Sequence, residues 1–241
     1  MDSCSVHPLH IFGEKMNNVI LGTRLTAVAN LVRKGSRIAD IGTDHAYLIA
    51  YLLKKGICTY GYACDINENP LKKAVATIRD NQLEDKSKLI LCDGLQGVEK
   101  DSVDDIVIAG MGGETIISIL QNCSWSSDEA KHFVLQPMTK ASLLRRFLCE
   151  NGFEIQDEIA VLDSSHIYTV MSVYYVGKKR IPSELFCELG KIADKKDSQS
   201  VLYIKNRAAA ILKKAEGLSK NSPESAEPVY KLYDSIMGCL Q

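Results

Sequence analysis

Acidic residues and glycines follow three successive predicted strands of this chain. The first group lies in the segment ADIGTDHAYL, the second is a single aspartate further along the chain, and the third belongs to a Cys-Asp-Gly triplet. In a doubly wound sheet the ligand lies outside the carboxyl ends of the strands, so these side chains should meet at one edge. An acid after the second strand suits the two hydroxyls of a ribose, and one after the third suits the amino edge of adenine. The pattern indicates a nucleoside site, and its candidate residues are Asp40, Gly42, Asp44, His45, Asp65, Asp93 and Gly94.

The first loop also indicates which nucleoside ligand binds. It lacks the GxGxxG pattern of dinucleotide sites, because Asp44 and Tyr47 stand where small residues are needed. A negative Asp44 at the start of a helix would repel a pyrophosphate. The sulfonium and ammonium groups of S-adenosylmethionine would instead be attracted, so we expect this cofactor, and an NAD(P)-dependent oxidoreductase is the alternative. Asp44 taken alone could equally be a helix cap.

Five segments together carry a family resemblance. ADIGTDHAYL, RLTAVA (24–29), CDGL (92–95), IAGMGG (108–113) and LQP (135–137) resemble the bacterial tRNA (adenine-22-N1)-methyltransferases. The similarity runs from Arg24 to Val176, and the pairing of DIGTDHAYL with GMGG is specific. The resemblance implies a Rossmann-like class I methyltransferase fold, S-adenosylmethionine as donor, and methylation of N1 of adenosine 22 in tRNA.

The resemblance also implies roles for individual residues. The methionine half of the cofactor would be lined by Asp40, Gly42 and His45. The ribose would be bound by Asp65, the adenine by Asp93 and Gly94, and the floor beneath the transferred methyl would be the glycine segment that includes Gly110 and Gly112. Contact with the substrate is expected from Arg24 and Gln136. The catalytic side chain stays open, with the candidates Asp44, His45, Tyr47 and Met111.

The implied reaction needs no general base, because neutral adenine has an in-plane lone pair on N1. Positioning of the reactants can supply about 7–11 kcal/mol, against about 3–5 kcal/mol from general acid–base catalysis, so geometry should dominate. N1 lies on the pairing edge, so the target adenosine must be unpaired or flipped, and Tyr47 or Tyr168 could stack on it. Helix packing is the alternative role for Tyr47, and a capping or core role is the alternative for His45.

Five strand–helix units must position these residues. A helix over 23–32 leads into strands predicted at 36–41, 59–65, 88–92, 105–109 and 132–136. The third strand is followed by a turn-rich crossover, and the others are followed by helices at 46–55, 70–81, 114–121 and 140–151. Two further strand-like runs, 153–162 and 168–176, have no helix between them and predict an antiparallel hairpin. The fold class is therefore α/β, with a doubly wound, mostly parallel sheet.

The composition changes after Gly177 and divides the chain into three parts. Residues 1–22 are expected to be a leader, partly disordered, 23–177 the methyltransferase domain, and 178–241 a basic helical domain that follows a charged hinge. Apolar periodicity predicts two or three helices packed as a hairpin or coiled coil, with SKNSPESAEP (219–228) as a polar loop. Whether translation starts at Met1 or Met16 stays open.

The predicted helical domain is basic. Residues 178–220 carry 11 Lys and Arg against five acids, whereas the whole chain has a net charge of −1. This balance favours contact with the tRNA backbone, and the alternative is a solvated helix face. The candidate phosphate contacts are Lys195, Lys196, Lys213 and Lys214. Without them, the tRNA would be held by the body of the protein near Arg24, Lys140, Arg145 and Arg146.

The composition is that of an ordinary globular protein. Of 241 residues, 46% are hydrophobic and 24% charged, which excludes a disordered, collagen-like or membrane-spanning chain. The eight cysteines have no CxxC pair or metal-ligand spacing, so we expect reduced thiols, no metal and a cytoplasmic location. His7 and His10 are expected to be solvated. The oligomeric state stays open, and a third possible function is that of a non-catalytic RNA-binding protein with a methyltransferase fold.

Overall fold

The computed structural model describes residues 19–241, and its centre is a seven-stranded sheet. The strand order is β3-β2-β1-β4-β5-β7-β6. The strands are β1 (Ser36–Ile41), β2 (Cys58–Asp65), β3 (Ser87–Leu91), β4 (Asp105–Gly112), β5 (His132–Thr139), β6 (Phe153–Asp163) and β7 (His166–Tyr175). The first five are parallel, whereas β7 runs antiparallel to both β5 and β6. The predicted α/β fold with a final antiparallel hairpin is thus confirmed.

Five helices accompany the sheet and three follow it. They are α1 (Thr23–Leu31), α2 (Tyr47–Lys54), α3 (Glu68–Asp80), α4 (Gly113–Gln121), α5 (Ala141–Glu150), α6 (Glu184–Leu189), α7 (Ser198–Ser219) and α8 (Pro223–Gly238). None of the helices in residues 19–241 is long and apolar enough to span a membrane. Cys4, His7, His10 and both candidate start methionines lie outside the described residues.

The sheet is buried on both faces because its central strands are almost entirely apolar. Successive residues of β1 point to opposite sides: Ile38 packs into one apolar layer with Val28 and Ile49, and Ala39 packs into the other with Ile106. Strands covered on both faces read as continuous apolar runs, which is what the sequence shows here. The strand order reverses between β1 and β4, so a crevice opens at the carboxyl ends of these two strands.

The C-terminal helices form a third apolar cluster against the sheet edge. Ile204, Ala208 and Ile211 of α7 pack with Ile236 of α8 and with Ala160 of β6. The helices were predicted, but the polar loop at 219–228 was wrong, since α7 continues to Ser219 and α8 begins at Pro223. Proline suits the first position of a helix, because its fixed φ is helical and its missing N–H would have no partner there.

A buried ion pair joins these helices to the sheet. Arg145 of α5 donates from Nη2 to Glu158 of β6 at 2.7 Å, and both side chains are fully buried. The remaining Arg145 donors reach the Cys187 carbonyl at 2.7 Å and the Tyr203 hydroxyl at 2.8 Å. Glu158 also accepts from the Thr169 hydroxyl at 2.6 Å. The expectation that Arg145 could hold tRNA was therefore wrong: its apolar helix neighbours and Glu158 keep the guanidinium inside the protein.

We predict that Arg145→Met lowers the free energy of unfolding by about 3–5 kcal/mol, because Glu158 would be left as an uncompensated buried charge. The double variant Arg145→Met/Glu158→Leu should recover part of this loss. Denaturant unfolding measures both effects.

The control is Lys231→Met, which removes the exposed pair between Lys231 and Glu227 on α8. Its unfolding midpoint should stay at the wild-type value, since exposed ion pairs contribute little. Equal losses from the buried and the exposed substitutions would contradict the structural role of Arg145.

Candidate functional site

The turn between β1 and α2 is built around Gly42. This residue has φ +78°, a conformation that favours glycine, and a Cβ at this position would overlap the Met111 methyl group. The N–H groups of Gly42 and Thr43 donate to the Cys64 carbonyl at 2.8 and 2.9 Å, which ties the turn to the end of β2. The absence of a side chain at Gly42 therefore lets the Met111 methyl group pack directly against this backbone.

Two cavities flank Gly42. The first, about 230 Å³, lies between the ends of β2 and β3 and helix α4, and the second, about 200 Å³, lies between α1 and the turn. We call them the α4 cavity and the α1 cavity. The predicted residues that line the α4 cavity are Gly42, Asp65, Asp93, Gly94 and Met111. Those that line the α1 cavity are Arg24, Asp40, Gly42, Asp44, His45 and Tyr47.

The α4 cavity combines acids with a polar helix face. Asp65 and Asp93 follow neighbouring strands, and Asp65 Oδ1 accepts from the Asn67 N–H at 2.7 Å. Opposite them, Thr115, Ser118 and Asn122 line the cavity from α4 and its end. Our sequence reasoning missed these three, although polar residues at i, i+3 and i+7 on an otherwise apolar helix are a detectable signal.

Asp40 and Asp44 of the α1 cavity differ in their environments. Asp40 is buried, and burial raises its pKa to about 6, although a hydrogen bond with Thr43 opposes the rise and the charge of Asp65 adds to it. Asp44 is exposed and lies 3.7 Å from Lys73 Nζ and 3.3 Å from His45 Nε2. Thr43, not Asp44, accepts the Ala46 N–H at 3.1 Å, so the helix-cap alternative for Asp44 is wrong.

Aromatic rings form one wall of the α1 cavity. The His45 and Tyr47 rings are parallel, with centroids 4.9 Å apart. Tyr47 is 47% exposed, so it is not a core residue of α2. The ring pair presents a flat surface at the mouth of the cavity, which suits stacking of a planar ligand.

Arg24 and Gln136 meet at the end of β4. Arg24 Nη1 donates to Gln136 Oε1 at 2.6 Å, and the Gly110 N–H donates to the same oxygen at 3.0 Å. Gln136 is fully buried, so it can act on a ligand only through Arg24, which lines the α1 cavity. Gly110, at φ +83°, and Gly112, the residue before α4, line neither of the two cavities and instead flank Met111 at the end of β4, where the register with β5 is irregular.

The four candidate lysines do not form one cluster. Lys195 pairs with Asp157 at 2.8 Å, and Lys196 donates to the Cys239 carbonyl at 3.0 Å. Lys213 and Lys214 are exposed on α7. A helix rises 1.5 Å per residue, so these two lysines lie about 22 Å from the start of α7. Any tRNA that contacts both pairs must extend along the helix.

A cysteine pair closes the floor of the α4 cavity. Cys92 lines the cavity, and a hydrogen bond with buried Cys64 lowers the pKa of Cys92 well below its usual value while it raises that of Cys64. The seven cysteines of residues 19–241 are all free, and no metal-binding group of His, Cys, Asp or Glu occurs in this part of the chain.

Three features define a Rossmann-like methyltransferase. They are the strand order, the acids at the ends of β1, β2 and β3, and a first turn that is unsuited to a pyrophosphate. Residues 21–171 match the family model described as a methyltransferase domain. The tRNA (adenine(22)-N(1))-methyltransferase of Bacillus subtilis (strain 168) is 31% identical over 156 residues, which cover 65% of this chain and 66% of that protein. The chain belongs to the methyltransferase domain family and, within it, to the bacterial tRNA (adenine(22)-N1)-methyltransferases.

Solved structures share the whole described architecture. A protein of the NADB-Rossmann superfamily from Streptococcus agalactiae is 27% identical, with a TM-score of 0.82 over 93% of this chain and 99% of that one. M. capricolum TrmK in complex with S-adenosyl-homocysteine is 28% identical, with a TM-score of 0.77 over 92% of this chain and 99% of that one. The similarity therefore includes the C-terminal helices as well as the sheet.

We predict that Cys92 is alkylated by iodoacetamide at neutral pH faster than the other cysteines of residues 19–241. The thiolate is the nucleophile, and a lowered pKa keeps Cys92 ionised at a pH where ordinary thiols are protonated. The rate should fall as the pH is lowered through the Cys92 pKa, and peptide mass spectrometry measures it at each site.

The matched variants are Cys64→Ala and Cys58→Ala, which both remove a buried thiol from β2. Only Cys64→Ala should slow alkylation of Cys92 at neutral pH, because it removes the hydrogen bond to the thiolate. Identical rates in the two variants would show that Cys64 does not activate Cys92.

Proposed function

We propose that this chain transfers a methyl group from S-adenosylmethionine to N1 of adenosine 22 in tRNA. The observation that carries the proposal is the pair of cavities on either side of Gly42, one with acids at the ends of β2 and β3 and one with Asp40 and aromatic rings. Family membership supports the same reaction. The setting of tRNA modification is the cytoplasm, so we propose that location as well.

The residues present fit this donor, which supplies a methyl group activated by a sulfonium cation. In the α4 cavity, Asp65 would accept hydrogen bonds from the ribose hydroxyls, and Asp93 with Gly94 would meet the adenine edge. In the α1 cavity, Asp40 would face the ammonium group, with His45 beside it. Gly42 lines both cavities, so an elongated ligand that spans them would run past the contact between Gly42 and Met111.

Acidic walls favour a cationic ligand on electrostatic grounds. The pKa of Asp40 is raised mainly because burial disfavours its charge, and a cation in the α1 cavity would restore the charged form. The same acids disfavour NAD(P), since the exposed carboxylate of Asp44 lies beside the start of α2, where a pyrophosphate would bind. The oxidoreductase alternative therefore has no support at this site.

The chain's own contribution to catalysis is positioning. Arg24 is fixed above Gly110 by its hydrogen bond to Gln136, and Met111 is held against Gly42, so the walls around the reacting atoms are rigid. The His45–Tyr47 pair gives a surface on which a flipped base can stack. No proton need be removed before N1 attacks, so none of the candidates Asp44, His45, Tyr47 and Met111 has to act as a base.

The test of this function is nucleoside mass spectrometry after incubation of the full chain with unmodified tRNA and S-adenosylmethionine. We expect 1-methyladenosine at position 22 and its loss when that adenosine is replaced by guanosine. Binding of tRNA without any methyl transfer would instead identify a non-catalytic RNA-binding protein, and reduction of NAD(P) by a substrate would identify an oxidoreductase.

We predict that Asp65→Ala weakens the binding of S-adenosylmethionine by about 1–3 kcal/mol, because hydrogen bonds to an ionised acceptor are lost. Isothermal calorimetry measures the affinity. Asp85→Ala, at an exposed carboxylate outside both cavities, is the control and should bind normally. An unchanged affinity in Asp65→Ala would remove this residue from the proposed site.

We predict that Lys213→Glu together with Lys214→Glu weakens the binding of all tRNAs alike and flattens its salt dependence. If both lysines contact phosphates, the slope of log K against log salt should change by about 1.5. Electrophoretic or fluorescence titration at several salt concentrations measures the slope, and the affinity for S-adenosylmethionine should not change.

The matched control reverses two lysines at the opposite edge of the sheet, Lys86→Glu with Lys88→Glu on and beside β3. It makes the same change in net charge far from α7. If the two double variants alter the slope equally, the effect is one of overall charge, and Lys213 and Lys214 belong to a solvated helix face.

A further inference from the structure

A third cavity, of about 270 Å³, lies where the sheet meets the C-terminal helices. The turn from β5 to α5, the start of β7 and the first half of α7 enclose it, and the lining residues used below are Met138, Lys140, His166, Tyr168, Asn206 and Arg207. None of its lining residues lines the α4 or the α1 cavity. A ligand in this third cavity is therefore not in contact with the walls around Gly42.

The walls of the third cavity suit a flat, uncharged ring. His166 and Tyr168 stack with centroids 6.1 Å apart and planes 25° apart, and Met138 adds an apolar surface that is 38% exposed. The exposed amide of Asn206 supplies both a hydrogen-bond donor and an acceptor at the rim. Stacking surfaces with an amide nearby are the features by which proteins bind unpaired nucleobases.

The charges around the cavity argue against a phosphate as its occupant. Lys140 Nζ lies 2.6 Å from Glu114, and Arg207 donates to the Glu188 carboxylate. Both cations that line the cavity thus already have an acidic partner. With Lys140 and Arg207 both paired, the cavity suits an uncharged base better than an anion.

The third cavity is connected to the α1 cavity through β5 and Arg24. Pro137 and Met138 line it, whereas the preceding Gln136 holds Arg24 and Gly110 beside the α1 cavity. Because Gln136 and Pro137 are consecutive, the third cavity and the α1 cavity are neighbours, so a base in the third cavity would belong to a nucleotide near the target rather than to a distant part of the tRNA. Enzymes that act on flipped bases commonly read the flanking nucleotides in this way.

We propose that the third cavity binds the nucleobase of an unpaired nucleotide adjacent to the target adenosine, stacked on the His166–Tyr168 pair. This inference rests on the proposed function. It assigns Tyr168 to a neighbouring nucleotide rather than to the target itself, and it gives α7 a part in substrate choice in addition to any backbone contact. Asn206 and Arg207, fixed by Glu188, are the residues through which α7 takes part.

The experiment measures steady-state methylation of unmodified tRNA by the full chain and by Tyr168→Leu, Tyr168→Phe and Asn206→Ala. Loss of one stacking contact should raise the KM for tRNA in Tyr168→Leu roughly 5- to 150-fold. The kcat at saturating tRNA and the affinity for S-adenosylmethionine should stay at wild-type values, and Tyr168→Phe should restore KM. Asn206→Ala, at the surface, tests the cavity without disturbing the packing of Tyr168.

A tRNA that lacks the base on one side of adenosine 22 provides the matched substrate. For the wild type, removal of the base that occupies the cavity should raise KM as much as Tyr168→Leu does. When Tyr168→Leu is assayed with the tRNA that lacks this base, KM should rise no further than with either change alone. Tyr60→Leu, which removes a ring from the Tyr60–Tyr62 pair on β2, is the protein control and should leave KM unchanged.

Three results would overturn the inference. The first is an unchanged KM in both Tyr168→Leu and Asn206→Ala. The second is that the increases in KM from Tyr168→Leu and from loss of either neighbouring base are fully additive. The third is a fall in kcat without a rise in KM, which would assign Tyr168 to the target base. Failure of the proposed function is distinguishable, because the wild type would then form no 1-methyladenosine at position 22.

Discussion

The site depends on Gly42, a position that has no room for a side chain. Gly42 has a left-handed backbone conformation, its N–H is held by the end of β2, and the Met111 methyl group occupies the space of a Cβ. Gly42 lines both the α1 and the α4 cavity, so residues from α1, β1, β2, β3 and α4 all lie around one short stretch of chain. A substitution at Gly42 would strain the turn and separate the two cavities at once.

The site contains an acid, Asp40, whose charged form is disfavoured by the surrounding protein. Asp40 is buried next to the crevice, and its raised pKa means that the structure stabilises the carboxylate less than water does. A cationic ligand would stabilise the carboxylate, so binding of the ligand is linked to ionisation of Asp40. Arg24, which carries the opposite charge, is turned toward Gln136 and lies 3.8 Å from Asp163, which limits its repulsion of a cation.

The sheet and the residues at its strand ends could be predicted because both follow from local patterns. Apolar runs define the strands, and Asp40, Asp65 and Asp93 follow directly from where those runs stop. The burial of Arg145 could not be predicted, since its partners Glu158 and Tyr203 are distant in sequence and a charged side chain is usually exposed. The loop at 219–228 was mispredicted because its polar composition was taken to mark a loop, whereas Pro223 begins a helix there. The cavity beside α7 also needed tertiary structure, because it brings together residues from three distant segments.

The ion pair of Arg145 and Glu158 has a consequence for synthesis of the chain on the ribosome. Tyr203 follows Glu158 by 45 residues, so at about 5–20 residues per second the complete pair is synthesised about 2–9 s before Tyr203. Once β7 has been made and joins β6 to the sheet, β6 is the edge strand, and uncovered edges readily pair with other chains. A charged residue that points inward from an edge strand opposes this pairing. We therefore expect Glu158 to disfavour such pairing until α7 is in place, and in the folded protein the same carboxylate accepts hydrogen bonds from Arg145 and Thr169.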